Sequence, residues 1–389
     1  MWSWLSWLPS CLACSNRACE AGINFLSVLQ KSIMLEYRID RLREIMHRED
    51  VDAIIFFNPV NLLYFCGFTG TDGVLLVTRE QSYFLTDSRY VAQAEAQVSA
   101  GHKRQYSQKV EGVIETLTEC TVKRVGFEAD FVTVSLHQKL LKQASSFDLV
   151  PLDAPLGMIR QVKDDVEIRC LEKAAQLNKQ AFDAVIPLIK PGISEREIAL
   201  ELECFLRRAG GEEKAFDLIV ASGDRGALPH GVASDKKIES GDLVTIDFGT
   251  RYQRYHSDET VTVAVGDVSN ELRAIYDVVL QAHDLALAAL IPSVKASEID
   301  AVARQYIEKK GYGKYFGHGL GHGVGLEIHE APTVSPRSEA FLTTGMVFTI
   351  EPGIYVPGVG GVRIEDTVVM TVDGYRCLTQ IPKSYRQVA

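Results

Sequence analysis

The feature that most constrains this chain is that it says one thing twice. Residues 240–249 read SGDLVTIDFG and residues 344–353 read TGMVFTIEPG. Aligned without gaps, both run glycine, a variable residue, two apolar residues, Thr-Ile, an acid, a variable residue and glycine, so Asp247 falls on Glu351. DETVTV begins eleven residues after Asp247 and EDTVVM fourteen after Glu351, which sets Asp258 on Glu365. The residues between the acids, GTRYQRYHS in one copy and PGIYVPGVGG in the other, are turn formers. Each copy therefore predicts a β-hairpin with one acid on each strand. Two helical stretches precede each copy: 164–189 and 194–210 before the first, 269–290 and 296–311 before the second. The region reads as a duplicated helix–helix–hairpin unit, its hairpins side by side in one antiparallel sheet with helices on one face.

A lone acid at a strand end usually faces water. Four acids at equivalent places are harder to dismiss, because acids are depleted from strands and facing carboxylates are costly to bury without compensation. Two divalent cations would neutralise the four charges. A nitrogen donor is at hand in GHGLGHGVGLEIHE, residues 317–330, which holds three of the nine histidines and five glycines. By itself this stretch could be a surface loop, since its glycines are poor helix formers. Beside the carboxylates, His322 becomes the natural ligand. Oxygen-rich ligation with one imidazole suits Mn, Co or Zn, and two such ions can lower the pKa of a shared water toward ~7. His230, in ALPHGVAS, and His318 and His329 are then placed to meet a tetrahedral intermediate or carry a proton. Arg363 lies two residues before Glu365 and so faces the same way, where it could steady a carboxylate ligand or bind a substrate carbonyl. His47, His102, His137, His256 and His283 read as structural or surface residues.

Residues 34–155 alternate strands and helices. VDAIIFF, GVLLVT, YFLTD and VKRVGFE read as strands. SRYVAQAEAQV, capped by Ser88, and TVSLHQKLLKQA read as helices. This pattern predicts a smaller α/β domain, with a boundary in VPLDAPLGMIRQVKDD and a second domain over 156–389. Residues 1–33 conform to neither; they read as an extension before a natural start at Met34, and Cys11-x-x-Cys14, with Cys19 nearby, lacks a second ligand pair. Cys66, Cys120, Cys170, Cys204 and Cys377 are scattered, as free thiols of a reducing, cytoplasmic setting would be. A net charge of −10 argues against a nucleic-acid surface, and no apolar run reaches the roughly 18 residues of a membrane span.

The ordered series LPHG, TIDFG, SDETVTV, GHGLGHGVGLEIHE, IEPGIY and GVRIEDT resembles the pita-bread metallopeptidases, nearest their aminopeptidase P and Xaa-Pro dipeptidase (prolidase) branch. The resemblance runs from Met34 onward and takes in NPVNLLYFCGFTGTDGVLLVT and DSRYVAQAEA of that branch's creatinase-like N-terminal domain. It implies an α+β pita-bread catalytic domain behind a smaller α/β domain. It also implies a dinuclear centre, with manganese expected, on Asp247, Asp258, His322, Glu351 and Glu365. Asp258 and Glu365 bridge by this match, Glu351 is general base, and His230, His318 and His329 serve the substrate. Where relatives usually read Ser-Asp-x-Thr-Arg-Thr, this chain has Val261 in place of the arginine.

The expected activity is that of an Xaa-Pro aminopeptidase acting on peptides with proline second, in a homodimer without nucleic-acid or membrane partners. The compact N-terminal region favours this reading, and the alternative is a strict Xaa-Pro dipeptidase. A metal-free creatinase-like hydrolase should have lost the carboxylates, and a non-catalytic binding relative should lack ligands. Neither loss is visible.

Overall fold

The computed structural model describes residues 34–389 except Ser145 and Asp153; the expectations for the leader and its three cysteines fall outside the described residues. The chain divides into two compact units, one ending at Ile159 and one spanning Arg160–Ala389.

In the first unit a helix over residues 34–48 leads into a six-stranded mixed sheet. Its order is His102–Gln105, Ser82–Thr86, Val74–Thr78, Ala53–Phe56, Arg124–Glu128, Asp148–Leu152. Ala53–Phe56 is wholly buried because it lies centrally, antiparallel to Val74–Thr78 and parallel to Arg124–Glu128. Two local readings are corrected. The expected Ser88 cap is not one: the helix begins at Val91 after Tyr90, without a side-chain cap. The Asp87 carboxylate instead accepts from the Arg89 N–H (2.8 Å), holding a turn where the helix was expected to start. An additional helix, Pro59–Cys66, is capped by the Asn58 side chain and closed by Gly67 in the left-handed region; the dipeptide Asn58-Pro59 is its sequence signal.

The second unit is built as two halves with a core each. Helices Asp165–Val185 and Glu195–Ala209 pack on the first hairpin, Leu243–Phe248 with Glu259–Val265, through Phe182, Leu202, Ile246 and Val263. Helices Asn270–Ala288 and Ala296–Lys309 pack on the second, Val347–Ile350 with Asp366–Thr371, through Tyr276, Ile299, Phe348 and Val368. Asp164 and Ser194 each cap their helix in a reciprocal box, with Glu167 and Glu197 respectively. The register sets Thr260 opposite Asp247 and Asp366 opposite Ile350. Asp247 is therefore within its strand, while Asp258, Glu351 and Glu365 sit one residue beyond a strand end.

The single continuous sheet expected from the sequence does not form. The first hairpin belongs to a four-stranded sheet and the second to a five-stranded one. They meet along a seam where threonine hydroxyls take the place of a continuous backbone ladder. Glu365 N–H reaches Thr260 O (3.2 Å), Thr262 Oγ1 donates to Arg363 O (2.8 Å), and Thr367 Oγ1 donates to Asp258 O (2.8 Å). Val261 is buried in the core of the first half. No helix among the described residues is long and apolar enough to cross a membrane.

Candidate active site

All nine residues singled out in the sequence, His230, Asp247, Asp258, His318, His322, His329, Glu351, Arg363 and Glu365, line one cleft of about 470 Å³ in the second unit. Carboxylate oxygens of Asp247, Asp258 and Glu365 lie within 4.8 Å of one another, and all three residues are buried. His322 Nε2 is 3.6 Å from Asp258 Oδ2 and 3.4 Å from Glu351 Oε1, so the imidazole closes the ring of acids.

The glycines explain how an imidazole gets there. His322 belongs to the short strand Gly321–Gly323, which runs between Glu330–Val334 and Val347–Ile350. A Cβ on Gly321 would fall on the carbonyl of Thr349, and one on Gly323 on the carbonyl of Ala331. Only glycine lets the three backbones approach so closely. The His322 N–H is held by Thr349 Oγ1 (3.1 Å), and its Nδ1 faces Gly323 O (3.1 Å). A carbonyl can only accept, so Nδ1 carries the proton and the Nε2 lone pair points at the acids. Burial pushes the His322 pKa down to about 4, which keeps that lone pair free at neutral pH.

Like charges dominate the acid cluster. Two carboxylates 4 Å apart repel by about 4 kcal/mol at an effective dielectric of ~20. Arg363 is the single lysine or arginine lining the cleft among the described residues. Burial, with repulsion from Glu365, Asp247 and Glu351, holds the Asp258 carboxyl well above its usual range. Burial, with Glu351 and Asp247, does the same for Glu365. Burial pushes Glu351 up to about 7. Among the described residues Asp247 Oδ1 and Glu365 Oε1 are buried with no hydrogen-bond partner. Orphaned anionic oxygens beside a free imidazole nitrogen are the donor set of a divalent-cation site, and the residues fit that group.

Three further oxygens, on Glu365, Glu351 and Asp247, are held by a shell in which sequence reading found Arg363 but missed Thr260, Thr349 and Tyr355. Thr260 Oγ1 donates to Glu365 Oε2 (2.6 Å) and accepts from Arg363 Nε (3.2 Å). Thr349 Oγ1 donates to Glu351 Oε1 (3.1 Å). Arg363 pairs through Nη2 with Asp247 Oδ2, and its Nη1 donates to Pro229 O (3.1 Å) and Tyr355 Oη (2.8 Å). Tyr355 in turn meets His318 Nε2 (3.0 Å). Because His318 Nδ1 lies against Gly319 O (2.7 Å), Nδ1 is the donor there and the Tyr355 hydroxyl donates to Nε2. Burial brings the His318 pKa down to about 4, so this chain is neutral at His318. His329 stacks edge-on against His322 with centroids 4.3 Å apart, and His230 is exposed at the rim. Thr260 had a legible signal, since it shares the face of Asp258 by alternation. Tyr355 had none.

A pita-bread fold with this donor set is that of a metallopeptidase, and the chain belongs to metallopeptidase family M24, whose model matches residues 169–372. The creatinase/prolidase N-terminal domain matches residues 38–162. The chain is 39% identical to an Xaa-Pro dipeptidase of Pyrococcus horikoshii, over 89% of this chain and 98% of the relative. Its fold superposes on a solved Xaa-Pro dipeptidase from Bacillus anthracis with a TM-score of 0.89 at 42% identity, covering 91% of this chain and all of that one. An X-Pro aminopeptidase structure from Thermotoga maritima gives a TM-score of 0.83 at 37% identity, covering 90% and 99%.

Proposed function

We propose that this protein is a metal-dependent Xaa-Pro dipeptidase, cleaving the bond between an N-terminal residue and a C-terminal proline. The observation that carries a metal-dependent hydrolase is the buried carboxylate cluster, with two unpartnered oxygens on Asp247 and Glu365 and with His322 Nε2 3.6 Å from Asp258 and 3.4 Å from Glu351. The choice of dipeptidase over aminopeptidase, the reverse of the expectation from sequence, is supported by the dipeptidases at 39% and 42% identity. The aminopeptidase remains the second reading because a similar structure carries that name.

In this reading Asp247, Asp258, His322, Glu351 and Glu365 would hold two divalent cations, manganese in preference. Cations bound there supply Lewis acidity, which eases deprotonation of water and polarises a carbonyl. Glu351 would also serve as the general base. Arg363 fixes Asp247 and, through Tyr355, the ring of His318. His230 and His329 offer N–H groups to the scissile carbonyl or to the terminal carboxylate, neither of which requires an amide proton from proline.

The test compares Ala-Pro with Ala-Pro-Ala under saturating Mn²⁺, following release of free alanine. Cleavage of the dipeptide with little of the tripeptide is expected. Rapid cleavage of the tripeptide restores the aminopeptidase reading. Cleavage of neither by protein with bound metal removes proline-directed activity altogether.

A further inference from the structure

Glu195 takes no part in the reading above, yet five donors converge on its side chain. It is the first residue of the Glu195–Ala209 helix and is completely buried. Oε1 accepts from Ser222 N (2.8 Å) and Ser222 Oγ (2.9 Å). Oε2 accepts from Arg225 Nε (3.0 Å), Ser234 N (3.1 Å) and Ser234 Oγ (2.7 Å). Taking a carboxylate out of water costs several kcal/mol, and five donors compensate for it. The positions they bind are informative. Ser222 and Ser234 are the two ends of the loop that carries Pro229 and His230 into the cleft, and Arg225 lies within that loop. Arg225 extends the grip, because its Nη2 donates to Val232 O (2.7 Å). The helix backbone adds Arg196 N to Ser234 O (2.9 Å).

Between its clamped ends the loop makes a 3-10 turn over Gly223–Ala227, short turns, and one bridge from Val232 back to Ile219. Leu228 N reaches Arg225 O (2.9 Å), and Gly231 N reaches Leu228 O (3.0 Å). At its tip the Pro229 carbonyl receives Arg363 Nη1 (3.1 Å). The backbone that carries the exposed His230 is thus tied on two sides, by Arg363 at the Pro229 carbonyl and by Glu195 at Ser222 and Ser234.

We infer that Glu195 is a positioning residue for His230, acting through the 222–234 loop. The inference rests on His230 meeting the substrate as proposed above. An imidazole displaced by about 1 Å from its productive place can cost ~100-fold in rate, and a loop tied at both ends by one carboxylate is a means of holding it.

The test is a double-mutant cycle on the full Mn²⁺-loaded chain with Glu195→Gln and His230→Ala. An amide in place of the carboxylate turns an NH₂ toward the Ser234 and Arg225 donors. The expected result is a tenfold or greater loss of kcat with KM and Mn²⁺ content unchanged. In the His230→Ala background Glu195→Gln should change kcat less than twofold. Amide hydrogen exchange at Ser222 and Ser234 should speed up in Glu195→Gln. Additive losses, or unchanged exchange at those two amides, overturn the inference while leaving the role of His230 standing. Full activity of His230→Ala overturns both. Should Glu195→Gln fold poorly, Ser234→Ala removes one bond to the same carboxylate and must show the same non-additivity at smaller amplitude.

Discussion

Replacing Lys383 with methionine should cost this protein much of its stability, and the structure gives the size. Alternation turns Asp258 and Glu365 toward the cleft and their neighbours Glu259 and Asp366 away from it. Behind the cleft, Lys383 Nζ lies 2.5 Å from Glu259 Oε1 and 3.4 Å from Asp366 Oδ1. Ile381 N–H also donates to Glu259 Oε1 (3.2 Å), Thr379 Oγ1 donates to Asp366 Oδ1 (2.5 Å), and His283 Nε2 is 3.2 Å from Asp366 Oδ2. All three charged side chains of the Lys383 pairings are buried. Removing one partner from such a group costs about 3–5 kcal/mol, because the charges left behind are uncompensated. At about 2–4 °C per kcal/mol for a unit of this size, Tm should fall by roughly 6–20 °C at pH 8.

The deficit should shrink on acidification. Even beside Lys383, burial raises the Glu259 carboxyl to about 7. A carboxyl with its folded pKa above the unfolded value of about 4.3 adds stability that is complete below that value. This stability is lost as pH rises through the folded pKa. Without Lys383 that folded pKa rises further, so at pH 5.5 Glu259 takes a proton and the penalty falls. Thermal unfolding of wild type and Lys383→Met, followed by near-UV circular dichroism at pH 8 and 5.5, measures both effects. A fall below about 2 °C at pH 8, or a larger deficit at pH 5.5, would refute the reasoning that ties stability to this desolvated group.

Two further outcomes concern the cleft. Gly321→Ala forces a Cβ onto the Thr349 carbonyl; it should destabilise by roughly 1–3 kcal/mol, as overpacking does, and should lower Mn²⁺ content measured by elemental analysis, with normal content counting against the packing argument. Chelation should lower the Tm of wild type, and Mn²⁺ at a hundred times its Kd should restore about 2.7 kcal/mol; Asp258→Ala should show no Mn²⁺-dependent shift in the same scan, and an undiminished shift would remove Asp258 from the ligand set.

The sequence by itself determined whatever repeats at short range. The echo of TIDFG in TIEPG, the helices that precede each copy and the alternation that turns Arg363 to the side of Glu365 all depend on neighbours within a few residues. Local periodicity carries such features to the page. So does the crowding of glycines around His322, although not its purpose. What only the tertiary structure decided is who meets whom. Asp247 and Arg363 pair across 116 positions, Thr260 and Glu365 across 105, and Lys383 and Glu259 across 124. The glycines at 321 and 323 acquire their reason only when the Thr349 and Ala331 carbonyls arrive beside them. The two hairpins read alike in sequence, yet they end in separate sheets joined by threonine hydroxyls. Propensity and alternation act through the backbone over one or two turns, whereas a buried charge is matched by whichever residue the packed chain brings within about 4 Å, and nothing local records that distance.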